Sequence, residues 1–271
     1  MTELDRAAAL ERIAGEVRAC TNCRLHETRT RAVPGEGNPE TEVVFVGEGP
    51  GFNEDREGRP FVGRAGTLLV KFLGTLGWRR DEVFITNIVK CRPPENRDPE
   101  PDEIAACAPY LRRQLEILNP ALVVTLGRHS LGRFMPGERI SAAHGTVRPI
   151  DPSTGASNAL AFALYHPAAA LRAPEIERTS YADVARIPAA LLESRARREG
   201  PPPVPVEPFE AAPSEPNSPG SVAIAPAQGG EPAAEPVAVG VAVVAAPDPT
   251  PDHSYLTSSE PTGLDDQLTL F

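Results

Sequence analysis

Val43–Gly51 reads VVFVGEGPG. Its first five residues are a short, unbroken apolar run closed by glycine, the pattern of a strand covered on both faces, as in a parallel sheet between two layers of helix. Three runs of the same kind follow, at Val83–Val89 (VFITNIV), Ala121–Gly127 (ALVVTLG) and Ala159–Tyr165 (ALAFALY). Helical patterns fall between and around them. Arg64–Gly77 brings Leu68, Leu69, Phe72, Leu73 and Leu76 to one face and stops on glycine. Pro101–Leu118 opens with proline in its first turn and has Asp102 and Glu103 at its positive end. Thr2 and Asp5 carry the signature of a capping box before a helix whose inner face holds Leu4, Leu10, Ile13 and Val17. A last helix is expected over roughly Tyr181–Arg198.

Strands alternating with helices predict the α/β class, a three-layer α/β/α fold on a mostly parallel central four-stranded sheet. Ligands of such sheets bind beyond the carboxyl ends of the strands. The polar residues that follow the strands are Glu48, Asn87 with Cys91, Arg128 with His129, and His166.

The formal net charge of −10 over 271 residues argues, taken whole, against a nucleic-acid ligand. Its distribution reverses that reading. Residues 1–200 hold all 27 Lys and Arg and 27 of the 37 Asp and Glu, whereas residues 201–271 hold 10 acidic residues, no Lys or Arg, and 15 of the 31 prolines. Residues 1–199 therefore read as a neutral, arginine-rich globular domain. Residues 200–262, rich in Pro, Ala and Glu, lack a sustained helical or strand period apart from the apolar run Val237–Ala246. They are expected to be a disordered linker, because they cannot bury enough apolar surface to offset the entropy of ordering. Residues 263–271 form a separate terminal peptide. No apolar run approaches the ~18 residues of a membrane span, and Met1–Ala19 alternates charge with apolar residues, unlike a secretion signal. A cytoplasmic location is expected, where cysteines stay reduced.

The four cysteines are Cys20 and Cys23, in a CxxC, with Cys91 after the second strand and Cys107 in the following helix. They make a complete set of four thiolate ligands, which buried thiols with no common purpose would leave unexplained. Zinc and an iron–sulfur cluster both accept four thiolates. Zinc sites usually pair two short knuckles, and the wide gap between Cys91 and Cys107 leans toward the larger cluster without deciding it.

Further polar and aromatic residues stand where a ligand is expected. Glu48-Gly49-Pro50-Gly51, with Glu54 and Asp55 soon after, would alone be a turn with solvated acids. Phe61, set between glycines just before a helix, is a core plug or, if exposed, a stacking platform for a base. Asn87 interrupts an apolar strand and must find hydrogen bonds there. His166-Pro167 closes the last strand.

In combination these stretches resemble the uracil-DNA glycosylase superfamily, and within it the type-4 branch that carries a [4Fe-4S] cluster. The matching segments are GEGPG (Gly47–Gly51), GRPFVGRAG (Gly58–Gly66), TNIVKCRPPENRDP (Thr86–Pro99) and HPAAALR (His166–Arg172), with Cys20, Cys23 and Cys107 completing the pattern. The resemblance spans roughly Leu10–Leu192.

The resemblance implies a monomeric DNA-repair enzyme that flips uracil out of DNA and hydrolyses its N-glycosidic bond. Phe61 would stack on the flipped ring, Asn87 would read its edge and the Gly49 backbone would complete the pocket. His166 would donate to uracil O2 as negative charge develops there. Well-known branches place an Asp at the Gly49 position. In its absence Glu48 is the first candidate for the catalytic carboxylate and Asp55 the second. Those branches also place a Tyr at the Gly51 position against the thymine methyl; here Glu54 is the candidate guard. Covalent-trapping relatives have a histidine-containing insert after the second strand, and Lys90–Pro99 holds no histidine, so ordinary turnover is expected. Leu171 would wedge into the gap left by the base, and Arg92, Arg97 and Arg172 would meet phosphates. The four cysteines would hold the cluster.

Two other readings compete: a redox protein using the metal centre, and a non-catalytic DNA-binding module with zinc. GEGPG lacks the third glycine of a dinucleotide site, which weakens the first. A partner is also suggested at the far end. Gln267-Leu268-Thr269-Leu270-Phe271 resembles the short QLxLF peptide by which bacterial repair proteins dock on the polymerase sliding clamp.

Overall fold

The computed structural model describes residues 2–199; the expected linker and terminal peptide, with Gln267, Leu268, Leu270 and Phe271, lie outside the described residues. The strands are β1 (Glu36–Gly37), β2 (Val43–Gly47), β3 (Phe84–Asn87), β4 (Leu122–Leu126), β5 (Val147–Pro149) and β6 (Leu160–Leu164). The longer helices are α1 (Glu3–Ala19), α4 (Arg64–Thr75), α5 (Pro101–Leu118), α9 (Pro174–Val184) and α10 (Ile187–Glu199). Short helices α2 (Leu25–Thr28), α3 (Phe52–Glu57), α6 (Arg128–Phe134), α7 (Ile140–Ala143) and α8 (Pro167–Ala170) line the connections.

The sheet runs β1-β3-β2-β4-β6-β5, and β3, β2, β4 and β6 are mutually parallel. Alternate residues of each strand serve opposite layers. Val43, Phe45, Leu122, Val124, Leu160 and Phe162 face a core with Leu69 and Phe72 of α4 and Ile187 and Leu191 of α10. Val44, Val46, Val123 and Ala161 face the other, with Leu111 and Leu115 of α5 and Leu131 of α6. This is the three-layer arrangement read from the four apolar runs.

The central sheet thus has the four expected strands, and two short antiparallel strands extend its edges. Neither β1 nor β5 shows in the apolar pattern, because an edge strand of two or three residues is half solvated and needs no buried run. The Thr2–Asp5 capping box forms as expected, and Ile13 and Val17 are buried, but Leu4 is 83% exposed. The expected last helix is two helices. Pro188, in the first turn of α10, has no amide to continue the helix before it, so the chain breaks at Ala185–Arg186.

Candidate active site

β2 hands the chain to β3 on one side, and β4 lies on its other side, so the strand order reverses at β2. Gly47 is in register with Asn87, and Leu126 with Leu164, which brings the carboxyl ends of the parallel strands level. A cavity of about 580 Å3 opens there, lined by Glu48, Gly49, Glu54, Phe61, Asn87 and His166, among others. This is the switch point at which doubly wound sheets take ligands.

Asn87 is buried, and its Oδ1 has no hydrogen-bond partner. A Cβ on Gly47 would lie 2.5 Å from that oxygen and 2.6 Å from Phe61 Cζ, so the close approach of amide and ring requires glycine. Lys90 fixes the backbone beneath. Its buried Nζ donates to the Asn87 carbonyl at 2.9 Å, to Thr86 Oγ1 at 2.5 Å and to Gln114 Oε1 at 2.7 Å. Burial lowers the Lys90 pKa to about 8.

Phe61 has φ +49°, in the left-handed region that side chains avoid. Arg80 donates to its carbonyl at 3.0 Å and to that of Pro60, and is itself held by Glu36 of β1. Glu54 Oε1 accepts from Val62 N and Gly63 N, each at 2.9 Å, from the other side. The ring is 6% exposed and lies 5.7 Å from the His166 ring, so Phe61 is part of the cavity wall rather than an exposed platform on a loop.

His166 caps α8: its Nδ1 accepts from Ala168 N at 3.1 Å, which leaves Nε2 to carry the proton. Burial drives its pKa down to about 4, with Arg172 pushing the same way against Glu54. The ring is therefore a neutral donor at physiological pH.

Glu48 is half-buried at the cavity, and its neighbours are two residues with no assigned role in the sequence reading. His129 Nε2 stands 3.8 Å from Glu48 Oε2 and 3.2 Å from Asp98 Oδ1. Arg128 pairs with Asp98 and donates from Nε to His129 Nε2 at 3.0 Å. Burial raises the Glu48 pKa above the ordinary carboxylate value; His129 opposes the rise, Asp98 adds to it and Arg128 opposes it. His129 was visible as a residue following a strand. Asp98 gave no signal, because its place depends on the path of the loop after β3.

Asp55 does not join this group. It is buried away from the cavity, and its carboxylate accepts from Thr30 N at 2.9 and 3.1 Å and from Arg31 N at 3.4 Å, tying α3 to the segment after α2. The second candidate for a catalytic carboxylate is a structural residue. Leu171, 38% exposed, caps the carboxyl end of α8, and cavity-lining Arg172 follows it. Arg92 donates to Asn96 Oδ1 at 2.7 Å and pairs with no acid among the described residues. Arg97 differs. It lines the cavity, and its guanidinium is bound two-pronged, at 2.9 and 2.6 Å, to the buried carboxylate of Glu103, so part of its charge is already engaged inside the protein.

Cys20, Cys23, Cys91 and Cys107 converge from the α1–α2 turn, the loop after β3 and α5 to line one small pocket. Sulfur acceptors there meet donors: Arg29 Nη1 at 3.0 Å from Cys91 Sγ and Lys90 N at 3.2 Å from Cys107 Sγ. Burial pushes the Cys107 thiol up to about 12 and raises Cys23 and Cys91, so a bound cation is needed to hold them as thiolates. Among the described residues, the one trio of metal-ligating atoms within 4.8 Å of one another is Glu48, Asp98 and His129, so no three cysteine sulfurs come that close. Tetrahedral zinc, with Zn–S of about 2.3 Å, needs sulfurs roughly 3.8 Å apart. The spacing fits the larger cluster better.

The model of the uracil DNA glycosylase superfamily matches residues 34–187. The type-4 uracil-DNA glycosylase of Sulfurisphaera tokodaii is 50% identical over 190 residues, covering 66% of this chain and 83% of that protein. That of Saccharolobus solfataricus is 48% identical over 188 residues, covering 67% and 86%. A type-5 uracil-DNA glycosylase of Thermus thermophilus is 36% identical over 140 residues, covering 44% and 64%.

The Arg97–Glu103 pair yields a test of its structural role. Arg97 holds the Glu103 pKa below its ordinary value, so the pair stabilises the fold near neutrality, and that contribution is lost as pH falls through the depressed pKa. Arg97→Ala is expected to lower the thermal unfolding midpoint at pH 7, with the gap from wild type closing in acid, as calorimetry across pH would show. A constant gap would contradict the pairing.

Proposed function

The chain belongs to the uracil-DNA glycosylase superfamily, and we propose that it initiates base excision repair by flipping uracil out of DNA and hydrolysing its N-glycosidic bond. The observation that carries the proposal is the unpartnered Asn87 Oδ1 buried at the cavity. Uracil N3–H would donate to that oxygen while its O4 accepts from Nδ2. Cytosine offers the reverse pattern and would leave buried groups unpaired. Phe61 would stack on the ring, the Gly49 backbone would close the pocket and Glu54, fixed on Val62 and Gly63, would guard the edge where thymine carries its methyl.

As the C1′–N1 bond breaks, its electron pair passes to uracil, and the charge spreads to O2. Neutral His166 would donate Nε2–H to O2 without losing its proton. Ionised Glu48 would stabilise the cation-like sugar and accept a proton from the water that adds to C1′. Glu48 then releases its proton to solvent and the departing uracil anion takes one up, so the products are uracil and an abasic site. Leu171, Arg172 and Arg92 would engage the DNA around the cavity. The four cysteines would hold a [4Fe-4S] cluster, which when bound cross-links α1, the loop after β3 and α5. Among the described residues no helix is long and apolar enough to cross a membrane. The proposed site of action is cytoplasmic, nucleoid-associated DNA, with the enzyme working as a monomer.

Four outcomes test the proposal. In single-turnover excision from a uracil-containing oligonucleotide, Asn87→Ala and His166→Ala should each cost about 3–4 kcal/mol and Phe61→Ala about 1–3 kcal/mol; wild-type rates in Asn87→Ala would sink the pocket assignment. Glu48→Gln should slow excision yet raise stability at pH 7. A carboxyl whose folded pKa is raised favours the fold only while protonated, and that contribution is lost as pH rises through the raised pKa. Cys91→Ser or Cys107→Ser should bleach visible absorbance and lower stability, and full colour in all four single Cys→Ser proteins would remove the metal centre. Deleting residues 267–271 should abolish capture of the sliding clamp and leave excision from short oligonucleotides intact. Equal capture with and without the peptide would refute clamp docking.

A further inference from the structure

Cavity-lining Gly51 is followed in the chain by Phe52, the first residue of α3. Large apolar side chains exposed among the described residues are Leu4, Phe52, Val70, Leu171 and Leu192, and Phe52, at 53%, is the aromatic one. A single exposed apolar side chain is ordinary and by itself marks nothing; what sets Phe52 apart is what surrounds it. Two cations have been brought to it. Arg56, one turn on in α3, has its guanidinium carbon 5.6 Å from the ring centroid, and Arg92, from the loop after β3, has its own at 5.2 Å. Both are cation–π distances. Among the described residues neither guanidinium forms an ion pair, and Arg92 is braced through Nε on cavity-lining Asn96. Two separate segments thus place an open aromatic surface and two unspent positive charges together at the cavity, on residues adjoining its lining.

We propose that Phe52, Arg56 and Arg92 form a second nucleotide-binding step beside the uracil pocket, taking the nucleotide next to the flipped one on the same strand. The assignment rests on the glycosylase reading above. Once a base is extruded its neighbour loses a stacking partner, and that exposed π-face needs a replacement. Phe52 or the adjacent guanidinium planes supply it, and the two charges meet the flanking phosphates. The combination of an aromatic surface with free arginines matches a nucleic-acid strand: an apolar protein partner would leave both charges unpaired on burial.

The test uses the full-length protein and single-stranded oligonucleotides carrying one uracil, either central or at the end with no nucleotide beyond it on one side or the other. Phe52→Ala should raise the half-saturating concentration of the central substrate about 5- to 100-fold, with the single-turnover rate at saturation little changed. Phe52→Trp should restore binding, and the penalty should vanish for the terminal substrate that lacks the contacted neighbour. Arg56→Ala should reduce the slope of log affinity against log salt by about 0.7. Equal half-saturation of Phe52→Ala and wild type overturns the proposal while leaving the glycosylase reading standing. So does a penalty unchanged on both terminal substrates, or one that Trp cannot repair. Absence of uracil excision by the wild-type protein would overturn both.

Discussion

A buried amide oxygen with no partner is the constraint around which this domain is organised. Parallel strands covered on both faces take a polar side chain only where it finds a partner, as Thr86 Oγ1 does on the Pro34 carbonyl and Thr125 Oγ1 on that of Phe162, yet β3 ends on Asn87, buried with Oδ1 unpaired. Leaving such a group unsatisfied costs about 1–3 kcal/mol, and the surroundings increase the demand rather than relieve it. Gly47 allows the Phe61 ring and the amide to crowd together, and Lys90 is spent on the backbone carbonyl of Asn87 rather than on its side chain. The fold thus withholds internal partners from the one group that a ligand is best placed to satisfy.

Holding that arrangement requires strain, and the strain is distributed. Phe61 in a left-handed conformation costs about 1–3 kcal/mol. It is held by Arg80 on two successive carbonyls and by Glu54 on the two amides that follow. Arg80 depends in turn on Glu36, which lies on the two-residue edge strand β1. The least conspicuous strand in the sheet thus anchors the residue that shapes the cavity wall. Lys90, bound to the Asn87 carbonyl, precedes a cysteine and gives its amide to Cys107 Sγ, so the four-cysteine pocket and the cavity share a segment of backbone.

Much of this was legible in the sequence, and the parts that were not have common causes. Four largely apolar runs revealed the central strands, because a strand buried on both sides takes few polar residues, whereas their order in the sheet carried no such mark. Asn87 and His166 could be found because a polar residue at the end of such a run stands out. β1 and β5 left no trace, since half-solvated edges carry no pattern. Asp55 and Glu54 show the limit of chain proximity: adjacent on α3, they turn to different places, one to the amides of Thr30 and Arg31 and the other to the cavity. Arg97 and Arg92 show the same for charge. Both are arginines of one loop, yet Arg97 is neutralised by the buried Glu103, a pairing that depends on how the loop meets α5.

Glu48 and His166 face one cavity, and their surroundings push their proton affinities toward each other, upward for the acid and downward for the base. The physical cause is the same in both cases: burial disfavours whichever form is charged. The consequences differ. For His166 the neutral form is the one that the proposed donation to uracil O2 needs, so burial and the proposed role agree, and the N-cap bond from Ala168 further selects the tautomer with its proton on Nε2. For Glu48 the proposed role needs the charged form, so burial works against it, and Asp98 adds to the opposition. His129 and Arg128 are the counterweight, restraining the rise in its pKa. Removing Arg128 would shift Glu48 toward its neutral form, whereas removing Asp98 would both lessen repulsion and release His129 from its nearest acid. The four residues therefore set one ionisation state jointly, and the carboxylate's capacity to act at neutral pH belongs to the group rather than to Glu48 alone.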